Sequence, residues 1–282
     1  MMQALIASPS VSSVNPTWDQ GNAGVIELLE SWARSLGFST EVQPIPGQSG
    51  KHNLIATLGS GSDGLVLSGH TDTVPFDETR WSSSPFTLSE RGGRLYGLGT
   101  SDMKGFFALA LEAVRELPMK EIKHSLVLLA TADEESTMCG AQTLVDTNRR
   151  LGRHAIIGEP TDMRPVRMHK GMLMEAIRLT GQAGHSSNPA HGNNALEAMH
   201  TVISELMQWR DELQAKYSNP LFEVPLPTMN FGHIHGGDNP NRICGSCELQ
   251  IDIRPLPGMA ITDLREEMKK RLQEVLRDTG IQ

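Results

Sequence analysis

The sequence predicts an α/β protein with one domain on a mostly parallel sheet and a second, inserted domain of α+β sandwich type. Between residues 52 and 157, short apolar runs alternate with helical segments, which is typical of a parallel sheet covered on both faces. From about residue 172 the pattern changes to strand, long helix, two strands and helix. The length of 282 residues also exceeds one ordinary domain. We therefore divide the chain into domains 1–171 and 172–282.

In the first domain, apolar spacing and turn residues predict the elements. Apolar side chains between Val25 and Leu36 recur at helical spacing, and Gly37 stands where a helix would end. We therefore predict a helix over 22–36. Continuous apolar runs predict buried strands, and the segments between them predict helices. The strands are 52–58, 65–68, 125–130 and 155–157, and the helices are 104–117 and 139–149.

The second domain is predicted to have the order βαββα. Its strands are 173–180, 228–235 and 247–254, and its helices are 194–216 and 261–278. This order is one strand short of a split-βαβ sandwich of ferredoxin-like type. We expect a closing strand to be absent from the chain.

Composition excludes several functional classes. A net charge of −8 and an aromatic content of 5% argue against a nucleic-acid partner. No apolar run approaches the ~20 residues that cross a bilayer, and the first residues lack the features of a secretory signal. Three cysteines at no disulfide-scaffold spacing suit a reducing compartment. The sequence predicts a soluble, cytoplasmic protein with no nucleic-acid or membrane partner.

Metal-binding residue types follow the predicted strands. Because ligands bind beyond the carboxyl ends of strands in open parallel sheets, we expect these side chains to share one rim. They are His70, Asp72, Asp102, Glu134, Glu135 and Glu159.

Each of these residues alone has an ordinary structural explanation. An aspartate can cap a helix or form an Asx-turn, and adjacent glutamates are common in solvated loops. Several carboxylates on one rim would repel one another unless a cation neutralised them. One imidazole with several carboxylates suits a pair of zinc ions, and cobalt or manganese could occupy the same ligands. Asp72, two residues after His70, can orient its ring, and one of the two glutamates is left free to take a proton.

Four ordered motifs resemble those of a family of dizinc metallopeptidases that includes deacetylases, desuccinylases, aminoacylases and carboxypeptidases. They are GHTDTVP at 69–75, GTSDMKG at 99–105, DEE at 133–135 and GEPT at 158–161. The resemblance continues through GQAGHSS at 181–187 and DIRP at 252–255, and so covers nearly the whole chain. Within the family, HKG at 169–171, FGHIHGG at 231–237 and NRIC at 241–244 look most like acetylornithine deacetylases.

The resemblance implies roles for single residues. It makes His70, Asp102, Glu135 and Glu159 ligands of two zinc ions, with Asp102 bridging them, Glu134 the general base and Asp72 the support of His70. The second domain would be a lid that dimerises, with His185 reaching the active site of the partner subunit. Asn241 and Arg254 are candidates for gripping the substrate carboxylate, since a guanidinium fork matches it. Without the resemblance, His185 would be an ordinary loop residue and Arg254 a structural one.

For function, the resemblance implies hydrolysis of N-acetylornithine to acetate and ornithine by a homodimer. A succinylated diamino acid, another N-acyl amino acid or a dipeptide remains an alternative substrate, because spacing does not reveal pocket shape. The family's last zinc ligand is a histidine in a segment that returns to the catalytic domain, and no such segment occurs here. We therefore expect an incomplete catalytic domain with one under-liganded zinc. A catalytically incomplete protein that acts only in binding or dimerisation is the competing hypothesis.

Overall fold

The computed structural model describes residues 1–61, 63–118 and 122–282 as two compact units, Met1–Arg164 and Pro165–Gln282. The division into a catalytic domain 1–171 and a lid or dimerisation domain 172–282 stays a prediction. Among the described helices, none combines the length and the apolar character that crossing a membrane requires.

The first unit is built on a five-stranded sheet with the order β1-β2-β6-β3-β7. Strand β3 pairs in parallel with β6 and β7, whereas β2 pairs antiparallel with β1 and β6. Four of its five strands therefore run in one direction, as the sequence predicts, and β2 runs against them. The strands of this unit are β1 (Ser39–Pro44), β2 (His52–Leu58), β3 (Leu65–His70), the hairpin β4 (Ser89–Arg91) and β5 (Arg94–Tyr96), β6 (Leu126–Thr131) and β7 (His154–Ile157).

Helices cover both faces of this sheet. The helices of the unit are α1 (Met2–Ile6), α2 (Ala23–Ser35), α3 (Lys104–Arg115) and α4 (Cys139–Asp146). Along β2, Leu54 and Ala56 pack into the core shared with α1, α2 and α3, while Ile55 faces a smaller cluster that includes Leu144 of α4. This arrangement follows from the pleat, because successive strand residues point to opposite faces. Two covered faces explain why the strands are continuously apolar rather than alternating.

The second unit has the predicted order of elements on a three-stranded antiparallel sheet, β10-β12-β8. Its elements are β8 (Leu173–Thr180), the short ribbon β9 (Gly184–His185) and β11 (Arg242–Ile243), α5 (Ala195–Lys216), β10 (Thr228–Gly236), β12 (Ser246–Arg254) and α6 (Ile261–Leu276). Buried and less buried residues alternate along β8 and β12, so one face of the sheet packs with α5 and α6. At the edge of β8, Thr180 and Gln282 exchange two backbone hydrogen bonds.

The core of the second unit yields a stability prediction from two neighbours on α5. Leu206 is fully buried, whereas Met207 is 44% exposed. We expect Leu206→Ala to lower the free energy of unfolding by about 2–5 kcal/mol, because it removes buried methyl groups and leaves a cavity. Met207→Ala should stay within about 0.5 kcal/mol of the parent. Urea unfolding followed by circular dichroism measures both, and equal losses would contradict this packing.

Candidate metal centre

His70 closes strand β3, between β6 and β7, and its side chain is buried. A Cβ atom added at Gly69 would lie 2.5 Å from the end of the Met103 side chain and 3.0 Å from that of Phe107, so a larger residue would have to displace both side chains. The Nδ1 atom of His70 lies 3.0 Å from the backbone carbonyl oxygen of Asp72. This contact places the proton of the neutral ring on Nδ1 and leaves the Nε2 lone pair free to bind a cation.

Two carboxylates from different loops converge on the free Nε2 of His70. Asp102, which precedes α3, has Oδ1 3.0 Å away, and Glu159, which follows β7, has Oε1 3.7 Å away. Glu159 reaches this position because Gly158 continues the parallel pairing, its N–H donating to the Ser68 carbonyl at 3.0 Å. The side chains of Asp102 and Glu159 are 50% and 39% exposed. A ligand can therefore reach them from solvent.

Glu134 and Glu135 lie in a turn that follows β6. The backbone N–H groups of these two residues donate to the two carboxylate oxygens of Asp72, at 3.2 and 3.0 Å. Asp72 Oδ1 also lies 3.6 Å from Nδ1 of His70, farther than the carbonyl oxygen of the same residue. The buried carboxylate thus holds the glutamate turn, and the backbone of the same residue holds the histidine.

The carboxyl groups repel one another in the metal-free chain. Burial, then the charges of Asp102, Glu134 and Asp72, raise the pKa of Glu135 to about 7 despite the opposing charge of His70. Burial and neighbouring carboxylates also raise the pKa of Glu134 and of Glu159. Burial acts to lower the pKa of His70, but contact with Asp72 and the charges of Asp72, Glu159 and Glu134 raise it to about 9. The cluster therefore retains protons that a cation would displace.

These side chains form two overlapping groups suited to metal binding. One group contains His70, Glu134 and Glu135, and the other contains His70, Asp102 and Glu159; within each, the ligand atoms lie within 4.8 Å of one another. Imidazole nitrogen and carboxylate oxygen are donors that zinc and related divalent ions accept. The donor chemistry and the mutual repulsion of the acids fit divalent cations held by these side chains. The five predicted residues are thus brought together, although the geometry does not distinguish the role of Glu134 from that of Glu135.

His185 and Asn241 are neighbours in the second unit. His185 in β9 pairs with Arg242 in β11, and the Ser186 N–H donates to the Asn241 carbonyl at 3.0 Å. His185 is exposed, and its Nδ1 accepts the backbone N–H of Ser187 at 3.2 Å. Its neutral ring therefore has the proton on Nε2, which is a free donor.

Arg254 lies at the other end of β12. Its Nε donates to Asp252 at 2.8 Å. Strand β12 starts at Ser246, shortly after β11. With a rise of about 3.4 Å per residue, the strand separates its two ends by roughly 27 Å. The predicted pair Asn241 and Arg254 is therefore not brought together within one chain.

Several buried polar residues around the centre were not recognised from the sequence. Lys104 is fully buried, and its Nζ donates to the Ser8 carbonyl at 2.9 Å and lies 3.4 Å from the Ser10 hydroxyl. Ser10 in turn donates to the carbonyl of Thr71 at 2.7 Å. Residues 8–12, the N-terminal strap, thus lie against the loop that follows His70. The only signal was a charged residue directly before the apolar run 105–111.

Family profiles match both parts of the chain. The profile described as "Peptidase family M28" matches residues 53–211, and the M20 profile "Peptidase dimerisation domain" matches residues 167–280. Acetylornithine deacetylase from Proteus mirabilis (strain HI4320) is 54% identical over 275 residues, 98% of this chain and 71% of that protein. Acetylornithine deacetylase from Pasteurella multocida (strain Pm70) is 54% identical over 280 residues, 99% of this chain and 73% of that protein.

Solved structures share the fold at lower identity. The M20 family metallo-carboxypeptidase Sso-CP2 from Sulfolobus solfataricus is 20% identical, with a TM-score of 0.79 over 100% of this chain and 76% of that one. A dinuclear metal binding peptidase of the M20 family from Bacillus subtilis is 15% identical, with a TM-score of 0.58 over 100% of this chain and 70% of that one. On the sequence identity to the curated relatives, the chain belongs to the acetylornithine deacetylase family of M20 metallopeptidases, which are metal-dependent amidohydrolases.

Proposed function

We propose that this chain hydrolyses the amide bond of N-acetylornithine to give acetate and ornithine, a step of arginine biosynthesis, with two zinc ions as cofactor. Cobalt is an alternative occupant of the same ligands. The proposal rests on two observations taken together. Two groups of ligand atoms share His70, and the chain is 54% identical to acetylornithine deacetylases over nearly its full length.

We assign His70, Asp102, Glu135 and Glu159 as the residues that would hold the zinc ions. When bound, the zinc ions polarise the substrate carbonyl and lower the pKa of a water molecule toward neutrality. The Nδ1–H of His70 is held by the Asp72 carbonyl, which aims Nε2 at the centre. The His70 ring thus has a fixed direction before any ion binds.

Glu134 is assigned as the general base. It removes a proton from the attacking water, the water oxygen bonds to the acyl carbon, and the carbon–nitrogen bond breaks as Glu134 gives that proton to the leaving amine. A group that both takes and returns a proton works best with a pKa near the working pH. Burial and the charges of Asp72 and Asp102 raise the pKa of Glu134 in this direction, although His70 opposes them.

His185 is assigned as a hydrogen-bond donor to the oxyanion of the tetrahedral intermediate. The Ser187 N–H occupies Nδ1, so the Nε2–H of the neutral ring is available for this bond. We propose that His185 acts in the active site of the partner subunit of a homodimer. The match of residues 167–280 to a peptidase dimerisation domain supports the dimer.

Arg254 and Asn241 are assigned to the substrate carboxylate. Arg254 offers a guanidinium of which Nε is paired with Asp252, so its remaining N–H groups are the donors for a carboxylate. The strand that separates Arg254 from Asn241 is too long for one small substrate to touch both residues of the same chain. A homodimer removes this conflict if one subunit supplies Arg254 and the other supplies Asn241.

We also propose that the protein works in the cytoplasm. Cys139, Cys244 and Cys247 are all free thiols, which suits a reducing compartment. Cys244 and Cys247 pack in the core of the second unit, as small apolar side chains do.

A substrate panel tests the proposed reaction. The zinc-loaded chain is incubated with N-acetylornithine, N-succinyl-diaminopimelate, N-acetylmethionine and a dipeptide, each at the same concentration, and release of the free amine is followed. We expect kcat/KM for N-acetylornithine to exceed each of the others by at least about tenfold, since a site built to pair a substrate's polar groups rejects analogues that lack them.

The same panel decides between the alternatives. Equal rates on all substrates would contradict the preference for N-acetylornithine while keeping the amidohydrolase. A higher rate on the succinylated substrate or the dipeptide would assign the chain to a related dizinc deacylase or dipeptidase. Zinc binding with no turnover of any substrate would favour a protein that acts only in binding or dimerisation.

A further inference from the structure

Lys51 is a buried cation held between two carboxylates. It immediately precedes β2, and its side chain is 5% exposed. Its Nζ donates to both oxygens of Asp133, at 2.8 and 2.6 Å, and to Asp19 at 2.8 Å. The Asp133 side chain is 3% exposed and that of Asp19 is 26% exposed. All three N–H donors of the ammonium group thus have a carboxylate oxygen to donate to.

Asp133 begins the turn that contains Glu134 and Glu135. Its φ angle is 55°, and its carbonyl accepts the Met138 N–H at 2.7 Å, which closes the turn. An aspartate in this left-handed region requires support from its surroundings. Lys51 supplies this support by holding the Asp133 carboxylate.

Besides its contacts with Ser12, Thr137 and Cys139, the glutamate turn is held through two buried charged side chains. Asp72 accepts the backbone N–H groups of Glu134 and Glu135, and Lys51 holds the carboxylate of Asp133. The Asp72 contact fixes the backbone of the two glutamates, whereas the Lys51 contact fixes the residue before them. Loss of either contact frees the turn to shift.

The contact between Lys51 and Asp133 has a further effect because the Asp133 carboxylate is buried. Without Lys51, Asp133 keeps only the neutral donors Thr137 and Cys139, at 3.4 and 3.5 Å. A buried carboxylate without a counter-charge is strongly unfavourable, so it would move toward solvent. Such a movement would displace the adjacent Glu134 and Glu135. Side chains that orient metal ligands without touching the metal affect binding in the same way.

We propose that Lys51 is a positioning residue for the amide hydrolysis: through Asp133 it sets the turn that presents Glu134 and Glu135 to the metal centre. The inference rests on the proposed function, because it assigns importance to the positions of these two glutamates. The Lys51 ammonium donates to Asp19 and Asp133, neither of which is an assigned metal ligand.

Four variants test this role. Lys51→Met removes the cation and keeps much of the side-chain volume. Lys51→Arg keeps a cation, and the combination of Lys51→Met with Asp133→Asn also removes the uncompensated charge. Arg271→Met is the matched control, because Arg271 is a part-buried cation that binds Glu205, Glu212 and Glu267 in the second unit. Each variant is compared with the full parent chain for kcat, KM, zinc affinity and melting temperature.

Hydrogen exchange supplies a readout that requires neither zinc nor substrate. In the parent, the amides of Glu134 and Glu135 are protected by the Asp72 carboxylate. We expect Lys51→Met to speed exchange in the peptide that covers residues 133–138, while peptides from α5 keep their rates. Arg271→Met should leave the 133–138 peptide unchanged.

For activity and metal binding, we expect Lys51→Met to lower kcat and zinc affinity by about 10–100-fold, with a smaller change in KM. Lys51→Arg should recover most of this loss. The double variant should melt closer to the parent than Lys51→Met does and still show the reduced kcat. Arg271→Met should melt at a lower temperature and keep the kcat and zinc affinity of the parent.

A folded Lys51→Met variant with parental exchange over 133–138, and with kcat and zinc affinity within twofold of the parent, would overturn the proposal. So would an equal loss of kcat in Arg271→Met, since general destabilisation would then explain both variants. If Lys51→Met does not fold, the double variant of Lys51→Met with Asp133→Asn decides: faster exchange over 133–138 supports the proposal, and parental exchange overturns it. A parent that neither binds zinc nor cleaves any acyl amino acid would instead contradict the proposed function, whatever the exchange of the turn shows.

Discussion

Replacing Glu134 by glutamine is expected to lower kcat for N-acetylornithine by about 10²- to 10⁴-fold and to leave the zinc content of the chain unchanged. Glutamine keeps the size of the side chain but cannot take a proton from water. The backbone N–H of residue 134 still donates to Asp72, so the turn keeps its position. Enzyme assays with zinc-loaded protein, together with elemental analysis of the same samples, measure the two quantities.

Glu135→Gln is the informative comparison, because both glutamates belong to the same group of ligand atoms around His70. If Glu135 is a ligand, its glutamine variant should lose zinc affinity, whereas Glu134→Gln should lose turnover alone. The opposite pattern would exchange the two assignments. Glu112→Gln, on the exposed part of α3 where Glu112 pairs with Arg115, should resemble the parent in both measurements.

Replacing His70 by alanine is expected to reduce bound zinc after dialysis from about two ions per chain to the background level. His70 is the only imidazole in the two ligand groups, so its loss leaves carboxylates alone to hold the ions. Zinc at 100 times its dissociation constant stabilises a folded protein by about 2.7 kcal/mol. The parent should therefore melt at a higher temperature when zinc is added, and His70→Ala should not.

A second variant, Asp102→Ala, tests the repulsion between the carboxylates in the absence of zinc. The folded pKa of Glu135, about 7, lies above the ordinary value of 4.5. An acid with a raised folded pKa destabilises the protein as pH rises from the ordinary value through the folded one. At pH 8 the cluster is therefore strained, and removing the Asp102 charge should leave the metal-free variant no less stable than the metal-free parent.

A matched histidine–aspartate pair controls for these measurements. His124 and Asp63 are in contact at 3.3 Å, as His70 and Asp102 are, but both are largely exposed. His124→Ala should keep parental zinc content and the parental response of the melting temperature to zinc. A parent that binds no zinc, or a His70→Ala variant that binds as much as the parent, would contradict the metal centre.

Much of the fold can be predicted from the sequence, because buried side chains recur along the chain at the spacing of a helix or a strand. Strand β8 was predicted with the bounds that the structure shows, since its apolar residues alternate along one covered face. Strand β1 was missed because it lies at the sheet edge with most of its residues exposed, and Val42 is its one large apolar side chain. The β4–β5 hairpin was also missed, although Gly92 and Gly93 at its turn were a usable signal.

The residues of the site also divide into those that the sequence predicts and those that it does not. His70, Asp102 and Glu159 were predictable because each comes directly after a strand or before a helix, where a parallel sheet places its ligands. Lys51 was not, because a lysine before a strand is ordinarily solvated. Its burial depends on Asp19 and Asp133, which lie 32 and 82 positions away in the chain. A contact between residues so far apart in the chain leaves no pattern in the local sequence.

The N-terminal strap also affects the order in which the protein can form during synthesis. Ser8 and Ser10 bind Lys104 and the carbonyl of Thr71, and Val11 pairs with Thr73. These partners leave the ribosome long after the strap does; at about 5–20 residues per second, Lys104 follows Ser8 by roughly 5–20 s. During that interval Leu5 and Ile6, which are fully buried in the finished unit, remain in contact with water on the nascent chain. The loop after His70 is thus completed by a segment that was made before it.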